Sequence, residues 1–129
     1  MSTQELKEKA IWMRQYLFNM MTHTQQATPL PSAFSCIEIL CALYYSVKKK
    51  DDAVIISKGH AAIARYPILE DLGLIPKDSW KEYGQPGGLL KLYAEPSIPE
   101  THVPCASLAV GFGVGAGLAM ADHSRKVYV

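Results

Sequence analysis

The sequence has no excess of charge of either sign. Its 13 lysine and arginine residues nearly balance its 12 aspartate and glutamate residues, and the formal net charge is +1. A protein that binds nucleic acid needs a basic surface to neutralise phosphates. The one basic run, Lys48–Lys50, lies at a predicted helix end, where the helix dipole and the solvent favour lysine. We therefore expect no nucleic-acid binding.

Cysteine is scarce, because the chain has only Cys36, Cys41 and Cys105 and no CxxC pair. An odd number of cysteines argues against a framework of disulfides and is usual in a reducing compartment. The first ten residues are too polar to contain the apolar core of a secretory signal. These features predict a cytoplasmic protein.

Residues 103–121 carry no charge and are the one stretch that resembles a membrane span. A spanning helix needs about 20 strongly apolar residues, and this stretch is diluted by glycine, alanine, serine and Pro104. The spacing of Gly111 and Gly115 matches the motif by which small residues let helices pack closely. We expect a tightly packed, buried helix of a soluble protein and no association with a membrane.

The first half of the chain is predicted to be mainly helical. Apolar residues recur at steps of three and four over about residues 3–22, which predicts a helix. Pro29 and Pro31 predict a stiff loop after it, because proline fixes its own backbone and disfavours helix before it. Ser32 or Ser35 can cap the second helix, and Glu38 lies three residues after Ser35, as in a capping box.

The second half of the chain contains two predicted strands. Val-Ile-Ile at 54–56 is short and β-branched, as is typical of a buried parallel strand, and residues 126–129 form the second. Between them we predict a helix over about 60–72 ended by Gly73, a short helix opened by Pro76, a loop over 84–104 and a helix over about 106–122. The 129 residues therefore predict a single, incomplete α/β domain with parallel strands flanked by helices.

The strand–Ser-Lys-Gly-His–helix segment is the sharpest local feature. Gly59 permits a tight turn, and His60 follows it near the start of a helix, where backbone N–H groups favour an anion such as a diphosphate. A histidine that merely begins a helix is an equally good interpretation of this spacing. Lys58 is expected to be a solvated neighbour.

Other candidate sites are weaker. Gly111, Gly113 and Ala116 match GxGxxA, but that fingerprint has to follow a strand directly, and here it follows a proline-rich loop. His102 and Cys105 have a possible metal spacing, but two ligands do not make a zinc site. His23, His123 and Glu38 are expected to have structural roles, with Glu38 as a cap. Cys105 has no partner base that would activate it.

Three segments carry a family resemblance. Residues 33–45 form an apolar helix, residues 54–76 contain a strand followed by SKGHA and a helix, and residues 106–121 begin with ASLAVG. In this order they resemble the N-terminal, diphosphate-binding part of the transketolase family. The resemblance implies an incomplete thiamine-diphosphate-binding fold, with thiamine diphosphate and Mg²⁺ as cofactors.

The resemblance also implies roles for particular residues. His60 is similar to a family histidine near the cofactor diphosphate and the substrate, which makes it the candidate catalytic and cofactor-binding residue. Ala106, Ser107 and Leu108 resemble the turn that contacts the cofactor. The strand at 126–129 resembles the one that leads into the family's metal-binding GDG motif, which lies beyond the sequence, so metal ligands are expected from another chain.

The sequence departs from the family pattern at positions that handle substrate hydroxyls and protons. Aligned on the motifs, histidines of the family are replaced by Pro29 and Glu95, glycines by Pro31, Ala106 and Ala109, and a polar residue by Val110. Proline cannot act as a general acid or base.

Two hypotheses on function follow. The chain is either a subunit of a split enzyme that transfers a two-carbon ketol or related acyl unit, or a non-catalytic scaffold or regulatory subunit. Both imply complementary chains and a homo- or hetero-oligomer, because an unfinished parallel sheet leaves backbone groups unpaired.

Overall fold

The computed structural model describes residues 1–103 and 108–129. Its longest element is helix α1 (Thr3–Thr24), which confirms the helix predicted over about 3–22. The N–H of Glu5 donates to Oγ of Ser2 at 3.3 Å, and the N–H of Ser2 donates to the Glu5 carboxylate at 2.6 Å. This reciprocal capping box, which we did not predict, satisfies two N–H groups at the helix start. Met13, Leu17 and Met20 lie fully buried on the inner face of α1.

Two short helices replace the loop and the single helix predicted after α1. Helix α2 (Leu30–Phe34) begins where we predicted a stiff loop, since Pro31 occupies its first turn and a proline there sacrifices no helical hydrogen bond. Helix α3 (Ile37–Ala42) follows and continues into a π-helical turn, Leu43–Val47.

The predicted capping box at Ser35 and Glu38 is wrong. The Ser35 hydroxyl donates to the carbonyl of Ser32 at 2.8 Å, and Cys36 precedes α3 without a side-chain cap. The Glu38 carboxylate instead accepts from the guanidinium of Arg14 at 2.6 Å, and this contact lowers the pKa of Glu38. The ion pair connects α3 to α1 and explains why the carboxylate is turned away from the helix start.

The two predicted strands form a parallel two-stranded sheet of β1 (Ala53–Val54) and β2 (Val127–Tyr128), both shorter than predicted. Ala53 pairs with Val127 and Val54 with Tyr128, and the N–H of Ile55 also donates to the carbonyl of Tyr128 at 2.8 Å. The sheet and the surrounding helices confirm a mixed α/β arrangement.

Asp52 joins the beginnings of the two strands. Its Oδ1 accepts from the N–H of Lys126 at 2.9 Å, and its Oδ2 accepts from the N–H of Lys49 at 2.9 Å. The N–H of Ala53 in turn donates to the carbonyl of Lys126 at 2.9 Å. The two backbone donors are the main reason why the pKa of Asp52 is lowered.

The helix predicted over about 60–72 consists of a 3₁₀ helix, Gly59–Arg65, followed by helix α4 (Tyr66–Asp71). Pro67 explains the change, because it lacks the N–H that would continue an α-helical ladder through this point. Gly73 ends the segment in a left-handed conformation with φ of 69°, as predicted. The short helix predicted at Pro76 is a 3₁₀ helix that begins only at Ser79 and ends at Glu82.

The segment from Tyr83 to Val103 lacks regular secondary structure, as predicted, but it is firmly attached to the core. Leu90 and Ile98 are buried, and the Tyr66 hydroxyl donates to the carbonyl of Lys91 at 2.5 Å. Farther along, the buried guanidinium of Arg65 donates to the carbonyls of Glu100 and Val54. The loop is therefore held near its middle by α4 and near its end by the 3₁₀ helix.

Helix α5 (Val110–Ala121) begins later than predicted, because Ala109 before it is left-handed with φ of 69°. The prediction of a buried helix is wrong, since Gly111 and Gly115 are its only buried residues and Phe112 and Met120 are exposed by 70% and 77%. Within residues 1–103 and 108–129, no helix combines the length and apolar character needed to cross a bilayer.

The two buried glycines set the distance between α5 and the sheet. A methyl group on Gly111 would lie 2.8 Å from Cγ2 of Ile55 and 2.9 Å from Cα of Ser57, and one on Gly115 would lie 2.4 Å from Cγ2 of Val129. These residues share one face of the sheet, since side chains alternate along a strand. Gly111 and Gly115 therefore serve close packing, in agreement with the small-residue spacing of the sequence.

Replacing Gly111 by alanine should destabilise the fold, whereas replacing Gly113 should not. The methyl group of Gly111→Ala would overlap the backbone of Ser57, which should cost about 1–3 kcal/mol. Gly113 has open space around it, so Gly113→Ala should gain up to about 1 kcal/mol of helix propensity. Chemical denaturation of both variants measures the difference, and equal effects would contradict the close packing of α5 on the sheet.

Replacing Asp52 should destabilise the fold, relative to wild type, more at neutral pH than at acidic pH. Since its pKa is lowered by folding, Asp52 stabilises the folded state above the unfolded carboxyl pKa of about 4, and this contribution disappears as the pH falls through the lower folded value. We expect Asp52→Asn to lower the Tm at pH 7 by about 4–8 °C, with a difference from wild type that shrinks below about pH 4. The exposed neighbour variant Asp51→Asn is the control and should show neither effect. A pH-independent loss would mean that the charge of Asp52 has no part in holding the strands.

Candidate functional site

A cleft of about 790 Å³ lies against the sheet and includes the residues at the carboxyl ends of both strands. In open α/β sheets this is the end at which ligands bind. Helix α3 provides one wall, and the residues just before α5 provide another. The lining is Cys36, Ile39, Leu40, Leu43, Val54, Ile55, Ile56, Ser57, Lys58, Ala61, Leu108, Ala109, Val127, Tyr128 and Val129.

The cleft is mainly apolar, with a small polar part contributed by the segment after β1. Ser57 lines it, and its Oγ is buried without a hydrogen-bond partner among residues 1–103 and 108–129. Lys58 is exposed at the same turn and places a cation at the cleft. No aspartate or glutamate is among the described lining residues. The arrangement fits an apolar ring next to an anionic group, and it offers no carboxylate to hold a metal ion.

Cys36 also lines the cleft, but its thiol is poorly prepared for nucleophilic chemistry. The side chain is half-buried, and its Sγ lies 3.3 Å from the carbonyl of Ala33. Burial raises the pKa of Cys36, against the weaker opposite influence of the Lys58 charge. Because the thiolate is the reactive form, Cys36 is a packing residue of the cleft wall.

His60 is exposed on the 3₁₀ helix and contacts Tyr93 of the long loop. Its Nε2 lies 3.0 Å from the Tyr93 hydroxyl, and the two rings are 5.3 Å apart with a tilt of 58°. His60 is absent from the residues that line the cleft, although Lys58, two residues earlier, is among them. The structure therefore places the predicted catalytic histidine beyond the turn that borders the cleft.

The other predicted site residues divide into two groups. Leu108 lines the cleft with 74% of its surface exposed, so it lies with Ser57 and Lys58 at one site. Ala106 and Ser107 fall outside the described residues, and so does Cys105.

Two further histidines have surroundings that the structure describes, His23, for which we expected a structural role, and His102, which we considered as a metal ligand. His23 packs edge-on against Trp80 with ring centroids 5.4 Å apart. Burial lowers the pKa of His102, which keeps its ring neutral. Among the residues for which the structure gives positions, no three histidine, cysteine, aspartate or glutamate side chains form a group that could hold a metal ion.

Sequence reasoning missed two residues of this region. Ser57 belongs to the SKGH segment, so its place after a buried strand could have marked it as a cleft residue. Tyr93 lies in an irregular loop 33 residues from His60. No periodicity or short motif connects the two residues, so only the folded structure reveals their contact.

Comparisons with known proteins agree with the resemblance found in the sequence. The chain is 32% identical over 101 residues to a protein of Phocaeicola vulgatus that is named as one subunit of apulose-4-phosphate transketolase, covering 71% of this chain and 36% of that protein. It is 30% identical over 145 aligned residues to the protein of the same name from Actinobacillus succinogenes, covering 100% of this chain and 52% of that protein. No model of a protein family matches the chain.

These similarities support a transketolase-like family. The chain spans about half of one relative's length and about a third of the other's. Both relatives are named as one of the subunits of their enzyme, which implies further subunits for those proteins.

Proposed function

We propose that the chain is part of a split transketolase-like enzyme that uses thiamine diphosphate with Mg²⁺ to transfer a two-carbon ketol or related acyl unit. The observation that carries the proposal is that two separate resembling segments meet at one cleft. Ser57 and Lys58 come from the SKGHA segment, and Leu108 comes from the SL segment that precedes α5. The names of the two relatives support a phosphorylated ketose as the substrate class.

The cleft residues that the structure describes would suit the ring and the anionic group of thiamine diphosphate, but not its Mg²⁺. The apolar walls formed by Ile39, Leu43 and Leu108 would exclude water from a bound ring. The Lys58 ammonium and the buried Ser57 hydroxyl would bind an anionic group beside it. Thiamine diphosphate, when bound, supplies the carbanion chemistry. Mg²⁺ would need carboxylate or carbonyl ligands from outside the described cleft lining, from another chain in this proposal.

His60 would act outside the cleft lining. Its exposed ring follows Lys58 by two residues and can hydrogen-bond an anionic oxygen of a ligand that extends past the turn. We propose that His60 contacts the diphosphate or the substrate in this way, with Ala106 and Ser107 next to Leu108 as further cofactor contacts.

A non-catalytic subunit is the second candidate function. Pro29 and Glu95 stand where the resemblance places family histidines. Pro29 precedes α2 and has no titratable group, and the Glu95 side chain is exposed. A chain that keeps the fold and the apolar cleft without those histidines could scaffold or regulate a partner.

Both candidates require a partner chain, and the surface provides a place for one. Ile39, Leu108, Phe112 and Met120 are each exposed by 69% or more. Ile39 and Leu108 line the same cleft, Phe112 and Met120 lie on α5, and large exposed apolar patches are typical of protein interfaces. We propose that complementary transketolase-like chains, in the cytoplasm, cover these residues in a homo- or hetero-oligomer.

Calorimetry with thiamine diphosphate and Mg²⁺ tests the enzyme proposal. We expect no binding to this chain alone, because the metal ligands come from elsewhere, and binding once the products of adjacent genes are added. His60→Ala in the mixture should weaken binding by about tenfold, the effect of removing one or two hydrogen bonds to an anion. His123→Ala is the matched control, since His123 is an exposed histidine after α5.

The outcomes separate the two candidate functions. Binding in the mixture that is weakened about tenfold by His60→Ala and kept with His123→Ala supports the split enzyme. A stable complex that binds no cofactor contradicts the enzyme and supports the scaffold.

Light scattering tests the proposed association. The isolated chain should be dimeric or larger, or poorly soluble, because the outer face of α5 is apolar and uncovered. The double variant Phe112→Lys and Met120→Lys should shift the chain towards monomer and improve its solubility. Ile11→Lys on α1 is the control, as Ile11 is also exposed, by 57%. A monodisperse monomer for the unmodified chain would contradict the interface.

A further inference from the structure

The packing of the core does not require the contact between His60 and Tyr93. The Nε2 atom of His60 and the hydroxyl of Tyr93 are 3.0 Å apart, and His60 is exposed. Most side-chain hydrogen bonds go to the backbone or to water and not to other side chains. A close side-chain pair at the surface, beside the proposed ligand site, therefore needs a reason other than burial.

Both partners are held by well-packed backbone. Gly59, Ala61 and Ala62 on either side of His60 are buried. On the loop, Leu90 and Ala94 are buried near Tyr93, and the carbonyl of Lys91 accepts from Tyr66 at 2.5 Å. The distance between the two side chains is thus set by the core and not by two flexible chains that meet by chance.

We propose that Tyr93 is a positioning residue for His60, and that its hydroxyl donates to Nε2 and holds the imidazole in the Nδ1–H tautomer. In a neutral imidazole one nitrogen donates and the other accepts, so the partner of one nitrogen decides the tautomer. Among the described residues, Nε2 of His60 is the only hydrogen-bond partner of the Tyr93 hydroxyl. If Nε2 carried the proton instead, the Tyr93 hydroxyl would accept from Nε2 and could donate its own proton only to water.

This arrangement determines what His60 can offer a ligand. With Nε2 occupied by Tyr93, Nδ1–H is the remaining donor of the ring, and the ring contact at 5.3 Å limits its rotation. An oriented N–H is a donor, so it is suited to an anionic oxygen of a phosphate group. The tautomer is independent of the proposed function, whereas its use towards a phosphate rests on that function.

Nitrogen-15 NMR of the histidine rings tests the tautomer on the full chain without any ligand. At about pH 8, where imidazole is neutral, the His60 Nε2 should have the shift of an unprotonated, hydrogen-bonded nitrogen and Nδ1 that of a protonated one. Tyr93→Phe keeps the ring and removes the hydroxyl, and it should return His60 to the Nε2–H form that predominates in water. Tyr45→Phe removes another hydroxyl hydrogen bond, to Asp71, and should leave His60 unchanged. An Nε2–H ring in the wild type, or identical spectra for wild type and Tyr93→Phe, would overturn the proposal.

Assays of the reconstituted complex separate this proposal from the proposed function. Tyr93→Phe should lower kcat/KM by about fivefold, the effect of losing one orienting hydrogen bond, and its Tm should equal that of the wild type. If His60→Ala leaves activity unchanged while the tautomer depends on Tyr93, the functional role of His60 is wrong but the positioning contact stands. If His60→Ala abolishes activity and Tyr93→Phe changes neither the spectrum nor kcat/KM, the positioning role is wrong.

Discussion

The arrangement of the sheet depends on the hydrogen bonds that the Asp52 carboxylate accepts. It accepts the N–H of Lys126 at the start of β2 while the next residue, Ala53, pairs with Val127. This fixes the register of two strands that are separated by more than 70 residues of chain. A slip of one residue would turn the Ile55 side chain to the other face of the sheet. Because the register is fixed, the strands end side by side, and the cleft includes both of their carboxyl ends.

The second constraint is the close approach of α5, which brings Leu108 to the cleft. Gly111 and Gly115 let the helix lie directly on Ile55, Ser57 and Val129. A larger residue would push α5 outwards and widen the gap between Leu108 and Ser57. The glycines that resembled a nucleotide fingerprint therefore act through packing. Their contribution to a ligand site is indirect, since they place one wall of the cleft.

The sequence predicted the order of elements but not their local form. The Val-Ile-Ile strand and the helix after it could be recognised because periodicity and Gly73 mark them. Pro67 accounts for the 3₁₀ segment before α4, but its effect can be recognised only once the backbone hydrogen bonds of that segment are known. The role of Glu38 could not be predicted, since Arg14 competes for it from a distant helix. The contact between His60 and Tyr93 was equally hidden, because it depends on how a loop folds back over the core.

The exposed outer face of α5 affects the steady-state amount of this protein in a cell. A chain that leaves Phe112 and Met120 in water presents the kind of surface that chaperones and proteases recognise. In the oligomer that we propose, a partner removes that surface as soon as it binds. The amount of this chain would then follow the amount of its partner, so that an excess made by uneven synthesis is degraded and the subunits stay in balance.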